Sequence, residues 1–518
     1  MRLLLLLSLL AAAAPRAQPG AFDLGFGSDG TVGLDGLTFY GGGVASDVAA
    51  GPDGSLFVVA HQYGSAGGAR VLRLLPSGVV DVAFSNTAPG YGVFVGPERS
   101  SHAAGGALAT LTDGRVVVVG TDRQASGGSA VPFAERLGPD GRRDETFGTD
   151  GFADIDPTVT GFGAAVRLDG DRTVVGLSSE DGRCGVAVLT GAGRPDTLFG
   201  PRGIRWIESG ALACTTRALA VLPGGLVLAA DLQDGVSGAF TVGAFGLRRD
   251  GAVWTAFGNG GTVRVGSPST ASHRPRLAVR ADSVLLSGAE ACRGQVCAVV
   301  RALTPTGQPD VTFGTGGTVT DSTLRWSAFD IAADGEGRVL IAGSATRGFD
   351  RVVSAVRRTQ RGAIDPSFGT AGVASVLSPR VPYGPTGGDL VLDPQGRAVV
   401  LTTRNRGTTA YEFPTLVRYL GGNAVATEPP PGHVAVLAVT PNPVARVARV
   451  SLMLAEAATA SVRVVDALGR TVAVLADGPL AAGAHVFALD ASGLPAGVYA
   501  VVATVGGTQR ATRVTVVR

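Results

Sequence analysis

Few residues in this chain have both the type and the spacing for chemistry. Gly25, Gly27 and Gly30 spell G-x-G-x-x-G, which holds a dinucleotide when it joins a strand to a helix whose N-terminus meets the pyrophosphate. No helical hydrophobic period follows it, so no cofactor is expected. An Asp stands three residues before a Phe at Asp23, Asp81, Asp144, Asp196, Asp310 and Asp365. Carboxylates recurring in one frame could ligate a metal or serve as acids. A turn role is the stronger expectation, because Asp accepts backbone N–H bonds there and Trp254 replaces it in one copy. Four Cys and five scattered His include no C-x-x-C or H-E-x-x-H spacing, so no zinc site is expected. Neither a G-x-S-x-G nucleophile elbow nor an EF-hand loop occurs. Paired carboxylates for glycoside cleavage, drawn from distant segments, stay open. Trp206, Trp254 and Trp326 could stack on sugars, but Trp206 and Trp326 fall in or beside predicted strands and read as packing residues.

The elements that must position these residues form a repeat. Phe26, Phe84, Phe147, Phe199, Phe257, Phe313 and Phe368 share one frame, at intervals of 52 to 63 residues. Gly follows directly at Gly27, Gly148, Gly200, Gly258, Gly314 and Gly369, with Ser85 the exception, and a second Gly lies three further on, as at Gly30. The frame is D-x-x-F-G-x-x-G. Its fullest copies are Asp23-Phe26-Gly27-Gly30, Asp144-Phe147-Gly148, Asp310-Phe313-Gly314 and Asp365-Phe368-Gly369. Each copy continues with a short strand, a small-residue strand, a turn such as Pro52-Asp53-Gly54, an apolar strand and an Arg-bearing strand. D-G and G-G turns mark hairpins, since Gly accepts the positive φ that they need. Four strands per unit, seven times, predict a seven-bladed β-propeller over residues 18–422, with a Gly-rich solenoid as the rival. The last unit ends near Tyr419-Leu420 without its own F-G motif. Strand Thr31 to Leu34 is therefore expected to complete the final blade and remove an exposed edge.

Composition agrees with this class. The chain has 518 residues, more than one compact core usually supports. It holds 78 Gly, about twice average usage, with few aromatics. The 44 basic residues, all Arg, nearly balance 42 acidic ones. No basic run occurs, so neither nucleic acid nor an acidic membrane surface is an expected partner. Without Lys, P-loop and Schiff-base lysine chemistry are excluded. Met1-Arg2 followed by apolar Leu3 to Ala14 reads as a signal peptide over residues 1–17, cleaved near Ala17–Gln18. No later stretch is long and apolar enough to span a bilayer, so no transmembrane segment is expected after cleavage. Export makes disulfides the natural reading of the cysteines: Cys292 with Cys297 across a hairpin end, and Cys184 with Cys214 between adjacent units.

After a Pro-rich linker over residues 423–434, composition shifts to Ala and Val. Seven strand-like runs over residues 435–518 predict a small Ig-like β-sandwich. The whole chain is thus expected to be all-β.

Two resemblances attach to these motifs. The sevenfold D-x-x-F-G-x-x-G frame resembles the delta-sixty repeat family of bacterial secreted proteins, which implies a propeller and brings no established activity and no family catalytic residues to carry over. The tail resembles the C-terminal sorting domain of type IX secretion cargo. The matching residues are Pro441, Asn442 and Pro443, then Asp466, Gly469 and Arg470, then Gly493, Gly497 and Tyr499. That resemblance implies the type IX machinery as a partner and a secreted or outer-membrane surface location. An ordinary carbohydrate-binding sandwich is its rival. The function expected for the ring is non-catalytic ligand binding or adhesion, with an extracellular glycan or protein as ligand. The alternative is a polysaccharide hydrolase or lyase with its site in the propeller channel.

Overall fold

The computed structural model describes residues 18–517 apart from 28–29, 35–42, 63–68, 85–92, 96–103, 124–129, 157, 211, 270–271, 282, 293–294, 326, 348–349, 377–387, 406–411, 422–433, 441–442, 455–457, 467–469, 482 and 506–507. The expected signal peptide and Trp326 lie outside the described residues. The chain divides into two compact units, Met1–Val425 and Ala426–Arg518. Secondary structure among the described residues is strands, with one 3-10 turn at Pro201–Gly203. Among the described residues, no helix is long and apolar enough to cross a membrane.

Among the described residues, the first unit contains seven four-stranded antiparallel sheets. Each begins on a strand of small residues, continues through an apolar strand and an Arg-bearing strand, and ends on a short outer strand. The first sheet shows why. Asp53 Oδ1 accepts the Ser55 N–H at 3.0 Å and Gly54 takes φ 81°, so the chain reverses tightly into Leu56–Gln62. Leu56, Phe57, Val58 and Val59 of that strand are all buried, since sheets cover both of its faces.

The outer strand of each sheet comes from the next sequence repeat, so sheet and repeat are out of phase by one strand. This offset closes the ring. Thr31–Gly33 pairs with Glu412–Tyr419, Thr31 opposite Val417, and completes the sheet that begins at Asp389–Leu392. The inner strands Gly43–Ala50, Ala104–Thr110, Gly161–Asp169, Leu212–Leu222, Arg276–Arg280, Ser327–Ala333 and Asp389–Leu392 each neighbour the next, and the last neighbours the first. An open solenoid has no such return. The cores lie between successive sheets. One joins Leu56, Val58 and Leu72 of the first sheet to Val399, Leu401 and Leu416 of the closing one.

Two disulfides are present. Cys184–Cys214 links neighbouring sheets, and Cys292–Cys297 spans the end of one hairpin.

The second unit packs a three-stranded sheet and a four-stranded sheet around one core that includes Val450, Val462, Val501 and Val514. The strand Thr471–Leu480 runs through Gly478 and Pro479. It is an edge strand, where a Pro costs no ladder hydrogen bond.

Candidate ligand site in the central channel

Alanines and other small residues let all seven inner strands approach one axis. They enclose a cavity of about 550 Å³. Pairing register makes Asp47, Ala107, Ala165, Ala218, Arg276, Asp330 and Asp389 equivalent positions, one per sheet. Two residues further along, the level is Ala49, Ala109, Ala220, Ala278, Ala332 and Val391, interrupted by Arg167. The next level is an apolar collar that includes Leu168, Val221, Val279 and Leu392.

The three Asp residues sit on consecutive sheets across the seam where the ring closes. Each reaches forward to a backbone N–H of the next inner strand. Asp330 Oδ2 accepts from Leu390 at 3.1 Å, Asp389 Oδ2 from Val48 at 2.9 Å, and Asp47 Oδ2 from Leu108 at 2.7 Å. The carboxyls also bond to one another, Asp389 with both Asp47 and Asp330. Burial and then the neighbouring Asp389 charge push Asp47 and Asp330 well above the ordinary carboxylate range. Burial pushes Asp389 the same way, but the bonds from Asp47 and Asp330 outweigh it and hold Asp389 below that range. Of the three, Asp389 therefore ionises most readily, and Asp47 and Asp330 hold their protons to higher pH. The Arg276 Nε lies 3.9 Å from Asp330 Oδ1, at the rim of this layer. Among the described residues, no group of three or more His, Cys, Asp or Glu is placed to hold a metal ion.

The recurring Asp of the repeat lies elsewhere, in the turn between the third and outer strands. The N–H two residues on bonds to Oδ1 of Asp23, Asp81, Asp144, Asp196, Asp310 and Asp365, each at 3.0–3.1 Å. All seven Phe of the frame are buried. Arginines then clamp the motif from the other side. Arg418 and Arg397 meet Asp23 at 2.8 and 3.1 Å, and Arg357 meets Asp365 at 2.8 Å. Arg136 and Arg115 both meet Asp144 at 2.8 Å, and Arg280 meets Asp310 at 2.7 Å. Several of these guanidiniums also cover the Phe ring: Arg418 stands 4.2 Å from Phe26 and Arg136 4.7 Å from Phe147. At Trp254 the arrangement changes as a set. The positions equivalent to Arg136 and Arg115 hold Gly246 and Gly225, and the Trp ring lies against Gly224 and Gly225.

Gly27, Gly148, Gly314 and Gly369 take φ between 55° and 61°, and Gly30 takes φ 82°. The apparent dinucleotide fingerprint is thus one copy of the repeat turn, followed by strand Thr31–Gly33. Trp206 lies over Gly185 on one side and carries the Arg183 guanidinium 4.5 Å from its ring.

In the second unit, Pro441, Asn442 and Gly469 lie outside the described residues. Pro443 is exposed and precedes buried Val444, which bonds to the backbone of Thr515 and Val517. Asp466 accepts both the Arg470 N–H at 3.0 Å and its Nε–H at 2.7 Å, closing a hairpin turn. Tyr499 donates to the Pro495 carbonyl at 2.9 Å. That bond pins the turn holding exposed Gly493 to the strand that begins at Gly497.

Residues 438–517 match the family model described as a secretion system C-terminal sorting domain. The C-terminal unit is a type IX secretion sorting domain. This sorting domain directs the protein through type IX secretion, to a secreted or outer-membrane surface location. Residues 111–147 match a β-propeller domain of unknown function, so the ring is a β-propeller. No curated protein matches the chain.

Three solved structures are similar at low identity. PorZ, a surface component of the type IX secretion system of Porphyromonas gingivalis, is 12% identical with a TM-score of 0.31, over 92% of this chain and 70% of its own. The polysaccharide lyase Uly1 is 9% identical with a TM-score of 0.41, over 73% of this chain and 89% of its own. The β-propeller domain of the Trilobed protease from Pyrococcus furiosus is 8% identical with a TM-score of 0.38, over 75% and 98%. At these scores the likenesses carry no argument.

Sequence reasoning did not find Asp47, Asp330, Asp389, Arg167 or Arg276. A register alignment of the small-residue strands would have placed Asp47, Asp330, Asp389 and Arg276 at one level. It also passed over the arginine clamp, whose signal is an Arg eight residues before the frame Asp at Arg73, Arg136 and Arg357.

Proposed function

We propose that the protein is a non-catalytic, ligand-binding propeller of seven blades, carried to the cell surface by an Ig-like sorting sandwich, with its ligand in the central channel. In this reading residues 1–17 are a removed leader, 18–422 the propeller of delta-sixty repeats, 423–434 a linker and 435–518 the sorting sandwich. The supporting observation is the asymmetry of the channel wall, where Ala, Leu and Val are broken by Arg167 and by one arc of Asp47, Asp330 and Asp389. Ligand sites have this character: mostly apolar, with a few polar groups that fix orientation.

One observation favours the enzymatic alternative, a carboxylate flanked by carboxyls of raised pKa. Its geometry argues against glycoside hydrolysis. Carboxyls bonded to each other are closer than the roughly 5 Å or more that retaining and inverting pairs need around a sugar bond. All three also spend an oxygen on a neighbouring backbone N–H. The test is to incubate the full chain with a panel of extracellular polysaccharides and peptides, and measure binding and product release together. Binding without product release is expected. Product release lost in Asp389→Asn would establish the enzyme instead.

A further inference from the structure

Resting on the reading of the channel as the ligand site, we propose that it takes a small aliphatic carboxylate, with the anionic head on Arg167 and the hydrocarbon against the collar one level away. The charge balance of the channel comes first. A hydrogen bond between two carboxyls needs a proton on one of them. The Asp389 contacts with Asp47 and Asp330 therefore satisfy part of the triad's charge within the triad itself, and Arg276 stands beside it. The Arg167 charge acts on Asp47, but the salt-bridge geometry pairs Arg276 and not Arg167 with this arc. Arg167 as a whole is exposed. It donates through Nη1 to the Val166 carbonyl at 2.8 Å and makes no ion pair with a carboxylate among the described residues. A guanidinium has five N–H donors in a planar fork matched to a carboxylate. The six equivalent positions carry only Ala or Val, so a ligand reaching Arg167 meets no competing side chain.

The apolar half is as specific. The collar residues Leu168, Val221, Val279 and Leu392 line the cavity. Val279 is exposed, while Leu168, Val221 and Leu392 are half-buried and also pack against the cores between sheets. Among the described residues, no aromatic ring lines the cavity. An alkyl chain finds Leu168, Val221, Val279 and Leu392 at this level, where the Thr110 hydroxyl is occupied in donating to the Ala50 carbonyl. The strands that carry the collar also carry the Arg167 level, so a short chain spans from one to the other. A cavity of about 550 Å³ lies within the range of small-molecule sites. Partial exclusion of water strengthens the guanidinium–carboxylate attraction relative to bulk solvent.

The experiment is calorimetric titration of the full chain with hexanoate, beside hexanol and hexylamine as probes of equal length and different charge. Hexanoate is expected to bind saturably, with hexanol and hexylamine weaker. Arg167→Leu should weaken hexanoate by about tenfold or more, the range for losing a charged hydrogen-bond partner, and Arg167→Lys should recover part of the loss. Arg167 is exposed, so a thermal melt of Arg167→Leu close to wild type is expected to accompany the loss. Equal binding by Arg167→Leu, hexylamine as tight as hexanoate, or no hexanoate binding would each overturn the proposal. Val279→Trp separates this failure from failure of the channel reading. If a ligand from the polysaccharide and peptide panel is lost in Val279→Trp while hexanoate never binds, the channel stands and the carboxylate class falls. If no probe responds to Val279→Trp, both fall.

Discussion

Asp365 shows how a single residue is committed on all sides. Its Oδ1 accepts the Ser367 N–H and hydroxyl at 3.1 and 2.6 Å, while Oδ2 meets Arg357, whose side chain is only 1% exposed. Removing one partner of such a pair leaves a buried charge, which costs about 3–5 kcal/mol. Asp365→Ala is expected to lose stability in that range by chemical denaturation. Leu198→Ala, at a side chain 87% exposed, should change it by less than about 0.5 kcal/mol. The channel acids behave oppositely with pH. Asp47 and Asp330 keep protons in the folded ring that the unfolded chain releases near pH ~4. Stability is therefore expected to fall as pH rises from there through their raised folded values, then level off. Asp310 and Asp365 have folded values below the ordinary one. Their contribution is present above that ordinary value and fades as pH falls through the lowered one. The double variant Asp47→Asn, Asp330→Asn still donates to Asp389, and denaturation from pH 4 to 9 should show its alkaline decline flattened. An unchanged decline would refute the shared-proton assignment.

At the scale of elements, the repeat was legible because its punctuation is local. Gly148 illustrates the reason. Its φ is 61°, and a Cβ there would stand 2.0 Å from the Phe152 carbonyl oxygen, so no side chain fits the turn. Gly148→Ala is expected to cost about 2–4 kcal/mol from the left-handed backbone and the overlap together, read as a lowered denaturation midpoint. The arc of acids was not legible in the same way. Asp47 and Asp389 lie at opposite ends of the ring sequence and become neighbours only through closure, and four of seven equivalent positions carry no carboxyl. Pattern reading follows what recurs, and a ligand site in a repeat protein is built from what does not. Trp254 shows the same logic in the scaffold, since losing the Asp there goes with losing both arginines that would have needed it.

For the whole molecule, address and ring were legible to different depths. The tail motifs are contiguous and held by short-range bonds such as Asp466 to Arg470 and Tyr499 to Pro495, so they show in the linear chain. Deleting residues 435–518 is expected to leave the protein in the periplasm, measured by fractionating cells and probing the medium and cell surface. Normal surface delivery of that truncation would remove the tail from the export route.

The pairing of Thr31 with Val417 also sets an order of events in time. A chain that emerges from its N-terminus first offers Thr31–Gly33 long before Glu412–Tyr419 exists to receive it. Six sheets can assemble as they appear, yet the clasp waits for almost the last stretch before the tail. Contacts of this sequence separation are slow to find, so the final closure is a late, single event. A newly made chain therefore passes through an interval as an unclasped band, with one edge of Glu412–Tyr419 open to any strand that reaches it first.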